Sequence, residues 1–549
     1  MRVTNGMIMS NAATNINATK VSVDKTNTQM TSQKKISRPS EDPVVAIRSL
    51  RLQTSLNKVN QYYEKNIPDA ESWMDVTETA LVNMKSLVTD MRTQCVSGST
   101  GTLTSDDRNT ILSQLKALQE QIYSEGNADY AGRTVFTGFR TNQNLTFLKD
   151  ESDTKYNISQ KLDATAMDTN TYFTGSVQVP STETEVLNNP ISDIDSDTYN
   201  RLRLSYDNLG NMDKYAYSIT KTTGGVTTTN NYSMTPAAAT FTDTDGNTRN
   251  YATASTTDEN GNTENVYTFE NEADWEAWSK TQTDAGGNPV NSKYVAANDT
   301  VIIRETGEML FGSDRSASMK SSKASIDINY DKTGFKSGEL RPEYYYNCTD
   351  NTDAANPINY EKYNAAGQQL SYGINYTVAA NQTMSVNLEA SDVFDSSILQ
   401  DINDMIGAVN GSISAHDKVD KITAMMKEDQ YAGAADQKKL QKWLDAANKE
   451  MDCTDKHLST LYSNTLGNVD GYLEKINLNT TKLGCKADQL SITKKRMSEQ
   501  QETVKELQSE NDNLDLSDIV IKYTAAYTAY TSSLQAAGKL GSQTLLNYI

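Results

Sequence analysis

Apolar residues recur every three or four positions near both ends of this chain and tend to alternate in the region between them. The first helical stretch opens at Arg38-Pro39-Ser40-Glu41-Asp42-Pro43, where Asp42 suits a helix cap and Pro43 the first helical position. Its apolar seam runs Leu52, Leu56, Val59, Tyr63, Ile67, Ala70, Trp73 or Met74, Ala80, Met84, Leu87 and Met91. Pro68 falls inside that seam and predicts a kink or a break. If continuous, residues 43 to 96 would reach roughly 80 Å at 1.5 Å per residue. A second helix is expected near Ser105 to Ser124, opened by Thr104 or Ser105 and the acidic pair Asp106-Asp107. The C-terminal seam starts at Leu440 and continues through Trp443, Ala447, Met451, Leu458, Leu461, Thr465, Val469, Tyr472, Ile476, Leu483, Ala487, Leu490, Met497, Val504 and Leu507. One helix over that stretch would reach roughly 100 Å and would need a partner helix. The alternative is several shorter bundle helices sharing the period.

The two ends of the chain carry narrower seams. At the N-terminus it is Val3, Ile8, Ala12, Ile16, Val23 and Met30, set among Thr, Asn and Ser. At the C-terminus it is Ile519, Tyr523, Tyr527, Tyr530, Leu534, Ala537, Leu545 and Ile549. Such segments bury too little on their own to offset the entropy of ordering, so they are expected to stay loose until they meet a partner. The region between the helical blocks reads as β. Strand patterns cover Val301–Glu305, Ala324–Tyr330 and Tyr376–Leu388, with turn signals at Asp245-Gly246, Asn260-Gly261 and Thr333-Gly334. A local repeat, residues 243–251 and 258–267, places Asx-Gly between β-type flanks and predicts successive hairpins. A calcium loop counted from Asp243 would need Gly at its sixth and Glu at its twelfth position, where Thr248 and Ala254 stand.

Proline supports this division: none lies between Pro68 and Pro180 or after Pro357, so both stretches permit long helices. The expected fold class is α+β, a long antiparallel helical rod with a β-rich central insertion of one or two subdomains. The expected segments are 1–36 and 511–549 as terminal helices, 37–145 and 391–510 as the halves of the rod, and 146–390 as the β-rich part.

Composition adds mainly exclusions. The 549 residues include 51 Lys+Arg against 71 Asp+Glu, a net charge of −20, which disfavours sequence-independent nucleic-acid binding. That charge reads as an aid to solubility. No apolar run approaches the ~20 residues of a membrane span. Two histidines, His416 and His457, leave little room for histidine catalysis or a histidine-rich metal site. Cys95, Cys348, Cys453 and Cys485 are spaced as isolated thiols; Cys453 and His457 stand four apart, but two ligands do not make a zinc site. No phosphate-binding loop, dinucleotide fingerprint, zinc-protease or nucleophile-elbow motif occurs. Sequons such as Asn144, Asn157 and Asn381 follow from an Asn- and Thr-rich composition. The N-terminus lacks the apolar core of a cleaved signal peptide. Tyr outnumbers Phe 29 to 9, which suits half-wet interfaces, so assembly is expected rather than catalysis.

Four motifs carry a family resemblance. Ile36-Ser37-Arg38-Pro39-Ser40-Glu41-Asp42-Pro43-Val44, the segment Asn127–Phe139, Ala390-Ser391-Asp392-Val393-Phe394, and the C-terminal Leu534–Leu540 with Leu545-Leu546-Asn547-Tyr548-Ile549 resemble bacterial flagellin and its relatives. Within that group they resemble the hook-associated protein 3 family of hook–filament junction proteins; flagellins usually lack the proline pair of the first motif. The resemblance covers about 1–145 and 390–549. It implies a structural axial component of the flagellum without catalytic residues, cofactor, nucleic-acid partner or membrane insertion. Its implied partners are the first hook-associated protein, flagellin and further copies in a ring, with an export chaperone beforehand. The implied location is the extracellular flagellum, reached by the flagellar type III route. The residues expected at subunit contacts are Ile519, Tyr523, Tyr527, Tyr530, Leu534, Leu545, Leu546 and Ile549, with ordinary intramolecular packing as the competing role. The loop expected to lead into the rod is Arg38, Pro39, Ser40, Asp42 and Pro43. The alternatives are a flagellin filament subunit and an adhesin-like or glycan-active β domain on a helical stalk.

Overall fold

In a computed structural model, residues 5–99, 103–192, 194–223, 226–257, 261, 263–283, 286–290 and 292–542 are described. The helices are α1 (Asn5–Ser32), α2 (Pro43–Asn60), α3 (Ile67–Gly98), α4 (Ser105–Gly126), α5 (Glu183–Asn188), α6 (Glu272–Ser279), α7 (Ser313–Ser322), α8 (Ala390–Val393), α9 (Ser397–Met425), α10 (Ala434–Asp512) and α11 (Leu516–Ser542). They bracket a β-rich centre, the α+β arrangement read from the sequence. The chain divides into two compact units, one of residues 1–72, 375–385 and 485–549, the other of residues 73–374 and 386–484.

In the first unit α2 and α10 run antiparallel. Asn511 Nδ2 donates to the Val45 carbonyl at 3.1 Å, Gln508 to Gln53 at 2.7 Å and Gln501 to Asn60 at 2.8 Å. Between these polar rungs the seam residues Leu56, Val59 and Val504 are buried, and Leu490 and Met497 continue the buried seam beyond Gln501. Asp42 caps α2 by accepting from the Val44 and Val45 amides at 3.0 and 3.2 Å. The break expected at Pro68 is a π turn over Gln61–Asn66, with Ile67 N–H bonded to the Tyr62 carbonyl. Proline lacks an N–H and crowds the carbonyl four residues back; the widened turn admits it without ending the helical run. A hairpin of residues 375–379 and 382–385 packs on this turn, with Asn66 Nδ2 donating to the Thr377 carbonyl at 2.7 Å. The two ends of the chain also pair here. α1 and α11 lie antiparallel, tied by Thr19 Oγ1 and Ser533 Oγ at 3.2 Å and, beyond the helix ends, by Lys35 N to the Asp512 carbonyl at 2.8 Å and Leu514 N to the Gln33 carbonyl at 2.9 Å.

In the second unit α3, α4, α9 and α10 pack together. Arg92 meets Asp470 at 2.8 Å, Arg108 meets Asp455 at 3.1 Å and Cys95 Sγ lies 3.5 Å from Met405 Sδ. A Cβ on Gly98 would come within 2.3 Å of the Tyr462 ring, so this α3–α10 approach needs a glycine. Thr104 and Asp107 form a reciprocal capping box that starts α4. The separate helix α9 was not distinguished in the sequence. It ends before a short turn and Gly433, and the C-terminal half of the bundle therefore contributes two helices rather than one.

The β region starts with a two-stranded hairpin, β1 (Asp129–Tyr130) and β2 (Arg133–Thr134). The remaining strands are β3 (Glu151–Asp163), β4 (Asp168–Thr174), β5 (Asp195–Arg203), β6 (Leu209–Thr223), β7 (Val226–Met234), β8 (Ala237–Thr242), β9 (Thr248–Thr257), β10 (Thr263–Phe269), β11 (Thr300–Ile303), β12 (Glu308–Phe311), β13 (Ser325–Phe335), β14 (Asn347–Asp350) and β15 (Ile358–Tyr360). They form a seven-stranded sheet in the order β4-β5-β12-β11-β10-β9-β8 and a six-stranded sheet in the order β15-β14-β3-β13-β6-β7. The two sheets share one core, in which Leu202, Ile302 and Met309 of the first meet Ile158, Tyr215 and Ile328 of the second. Phe269, Val301 and Leu310 of the seven-stranded sheet instead pack with Trp275 and Trp278 of α6 in a separate core.

The repeat at 243–267 forms the successive hairpins β8–β9–β10. Asp243 accepts from the Asp245 and Asn247 amides and from Arg249 at 2.9 Å, so its oxygens serve the turn. The turn expected at Thr333-Gly334 is absent. Gly334, at φ +71, instead marks a bulge inside β13, which continues because β3 and β6 pair with it on both sides.

Candidate assembly surface

The α1–α11 pair is held by one narrow seam. Along α11 it consists of Ile519, Tyr523, Ala526, Tyr530, Ser533 and Ala537; along α1 of Ile8, Ala12, Ile16, Thr19, Val23, Thr26 and Met30. Steps of three and four make this a coiled-coil-like stripe. Only Ile519 in it is fully buried, at 1% exposure. The other seam positions are half-buried.

The sequence-expected contact residues therefore separate. Ile519, Tyr523 and Tyr530 face α1, whereas Tyr527 and Leu534 are 51% and 42% exposed. Leu545, Leu546 and Ile549 lie outside the described residues. Tyr527 and Leu534 join Val520 at intervals of seven, forming an outer stripe bordered by the exposed Leu516 and Ile521. That stripe was legible as a seven-residue step, but the tyrosines drew both stripes into one seam. α2 adds Val44, Ile47 and Leu50, exposed by 75%, 53% and 68%. The exposed α11 stripe of Val520, Tyr527 and Leu534, bordered by Leu516 and Ile521, is the kind of apolar patch that marks an interaction surface.

In the loop leading to α2, Arg38, Pro39, Ser40 and Pro43 are exposed and Asp42 is half-buried in its capping role. The Glu41 carboxylate accepts from the Ser37 amide and hydroxyl, both at 2.9 Å, and these bonds hold it below the usual carboxylate range. The loop thus fastens itself and presents its guanidinium and proline outward.

A cluster of paired charges lies in the second unit, beside a cavity of about 650 Å³ between β5, α9 and α10. Arg201 on β5 bonds Asp168 at 3.0 Å, Asp404 on α9 at 2.6 Å and Glu308 on β12. Arg203 meets Asp404 at 3.0 Å and also Asp401. Burial alone would raise the Asp404 carboxyl, but Arg201 and Arg203 hold it below its ordinary value. For Glu308 burial prevails over the pull of Arg201, and its value is raised. Burial, then Arg201, lowers the His457 imidazole. Asp168, Asp401, Asp404 and Glu308 each bond an arginine, and the arrangement ties the seven-stranded sheet to the bundle. Among the described residues no group of three metal-ligating side chains occurs and no helix is long and apolar enough to cross a membrane.

Residues 3–141 match the family model of the bacterial flagellin N-terminal helical region. A stretch of 142 residues is 25% identical to flagellar hook-associated protein 3 of Salmonella typhimurium, covering 26% of this chain and 44% of that protein. A stretch of 114 residues is 27% identical to flagellar hook-associated protein 3 of Escherichia coli, covering 21% of this chain and 36% of that one. The chain thus spans less than half the length of these curated relatives. Among solved structures, hook-associated protein 3 of Legionella pneumophila aligns at 10% identity and a TM-score of 0.28, covering 84% of this chain and 97% of that chain.

Proposed function

We propose that this chain is a structural component of the bacterial flagellar axis that joins hook to filament and assembles through α1 and α11. The observation that carries this reading is the pairing of both chain ends through a single thin seam, with large apolar side chains left on the outside, next to a flagellin-type N-terminal region. A seam with one fully buried residue supplies little stability against the entropy of ordering two helices. The pair gains its remaining burial from neighbouring subunits, through Tyr527, Leu534 and the C-terminal Leu545, Leu546 and Ile549. The partners are the first hook-associated protein, flagellin and further copies in a ring. Before assembly the chain travels by the flagellar type III route with its ends held by an export chaperone. The reading assigns it no catalysis.

Removal of residues 511–549 tests this. The remaining chain keeps its β sheets, read by near-ultraviolet circular dichroism, and loses the ability to connect filaments to hooks in cells lacking the intact gene. Normal filaments on hooks with the truncated chain would sink the proposal. Spontaneous growth of the purified chain into long filaments would favour a flagellin filament subunit instead.

A further inference from the structure

Two outward faces of the first unit have complementary character. On α2 the exposed Val44, Ile47, Arg48, Arg51 and Lys58 fall within about 100° of one another at about 100° per residue. The helix has no acidic residue, within a chain of net charge −20. On α10 the exposed Glu499, Glu502, Glu506 and Glu510 fall within about 80° by the same count. Leu507, 37% exposed, borders that row. Ala46 and Leu56 of α2, and Met497, Gln501 and Val504 of α10, are buried on other sides of their helices, while the buried Val59 borders the basic row beside Arg48. Both charged rows therefore point away from the contact between the two helices. Among the described residues none of these seven charged side chains has an ion-pair or hydrogen-bond partner.

We infer that the basic, aliphatic face of α2 docks on the acidic face of α10 in a second copy of this chain. The inference rests on the assembly reading above and adds which surfaces mate. A two-fold contact that mated like rows would set arginine against arginine or glutamate against glutamate, which is strongly unfavourable, and one that mated α2 with α10 would need both rows on one side of the unit, whereas they face opposite ways. The complementary faces instead demand a head-to-tail contact, which closes into rings or continues as a helix. The rows also match in length, roughly 21 Å from Val44 to Lys58 and roughly 16 Å from Glu499 to Glu510 at 1.5 Å per residue. Val44 and Ile47 lose their exposure on docking.

The test uses full-length chains expressed in cells lacking the intact gene, with hooks that carry a filament counted by electron microscopy. The double reversals Arg48→Glu/Arg51→Glu and Glu502→Arg/Glu506→Arg each lower that count by about tenfold or more. The chain carrying all four substitutions recovers to within about twofold of the unaltered one, because the complementarity is restored with opposite sign. Unchanged thermal unfolding of the purified variants identifies the loss as one of contact. If a reversal misfolds, the neutral pair Arg48→Gln/Arg51→Gln takes its place and lowers the count less steeply. Normal counts with either reversal, or no recovery with all four substitutions, overturn the α2–α10 contact. The truncation lacking 511–549 separates the causes. Loss with the truncation but not with the reversals removes only this contact, and normal flagella with both remove the junction reading as well.

Discussion

The rings of Phe136 and Phe394 meet edge to face, with centroids 4.9 Å apart and planes at 88°. They belong to the segments where the chain leaves the helices for the sheets and where it returns. The Ala390 amide donates to the Phe136 carbonyl at 2.7 Å, and Thr137 pairs with Glu389 as an isolated bridge. The outgoing and returning strands are thus fastened to each other at the root of the β region. Phe394→Ala removes a buried ring and half of an aromatic pair. It is expected to cost about 3–5 kcal/mol, read as a lowered denaturant midpoint for the β-rich unit.

The two stripes of α11 should respond differently to a charge. Tyr527→Asp and Leu534→Asp alter exposed positions, so monomer stability should shift by no more than about 0.5 kcal/mol while hook–filament continuity is lost. Ile519→Asp places a carboxylate in the buried end of the seam and should melt the α1–α11 pair, seen as lost helical circular dichroism. Equal stability loss from all three would mean that the outer stripe is packed within the chain.

Arg201 holds three carboxylates, two of them on different elements of the same cavity wall. Arg201→Met leaves Glu308 and Asp404 facing each other without that cation and is expected to cost about 3–5 kcal/mol in the unfolding of this unit. Replacing Arg201 together with Asp168, Glu308 and Asp404 by aliphatics of similar volume should cost far less, since no carboxylate is left without its arginine and Arg203 keeps Asp401.

His457 sets a pH dependence whose sign is determined by burial. Its folded value lies below the unfolded ~6.5, so the unfolded chain binds the proton more readily as pH falls. The His457 contribution is present above about pH 6.5 and is lost as pH falls through the lower folded value. The thermal midpoint should drop between about pH 7 and pH 5, and His457→Gln should flatten that drop.

The four thiols should label in order of exposure. Cys485 is exposed and Cys453 half-buried, whereas Cys95 and Cys348 are buried. Burial pushes the Cys95 thiol up to about 12 and raises Cys348 as well. A thiol reagent near pH 8 should modify Cys485 first and reach Cys95 and Cys348 only after denaturation.

The sequence by itself determined what local chemistry controls. Helical seams followed from the three-and-four spacing of apolar residues, the start of α2 from Asp42 and Pro43, the start of α4 from Thr104 with its acidic neighbours, and the β8–β9–β10 hairpins from Asx-Gly turns. Each of these depends on residues within a turn or two of one another. Tertiary structure decided whatever needed a partner distant in sequence. Thr333-Gly334 became a bulge because two neighbouring strands held β13 straight. Tyr523 and Tyr527, both apolar positions of one helix, were divided because α1 covers only one stripe. Arg201 and Arg203 carried no sequence signal, since their partners lie as far off as Asp404, and their importance comes from the low-dielectric site that brings them together.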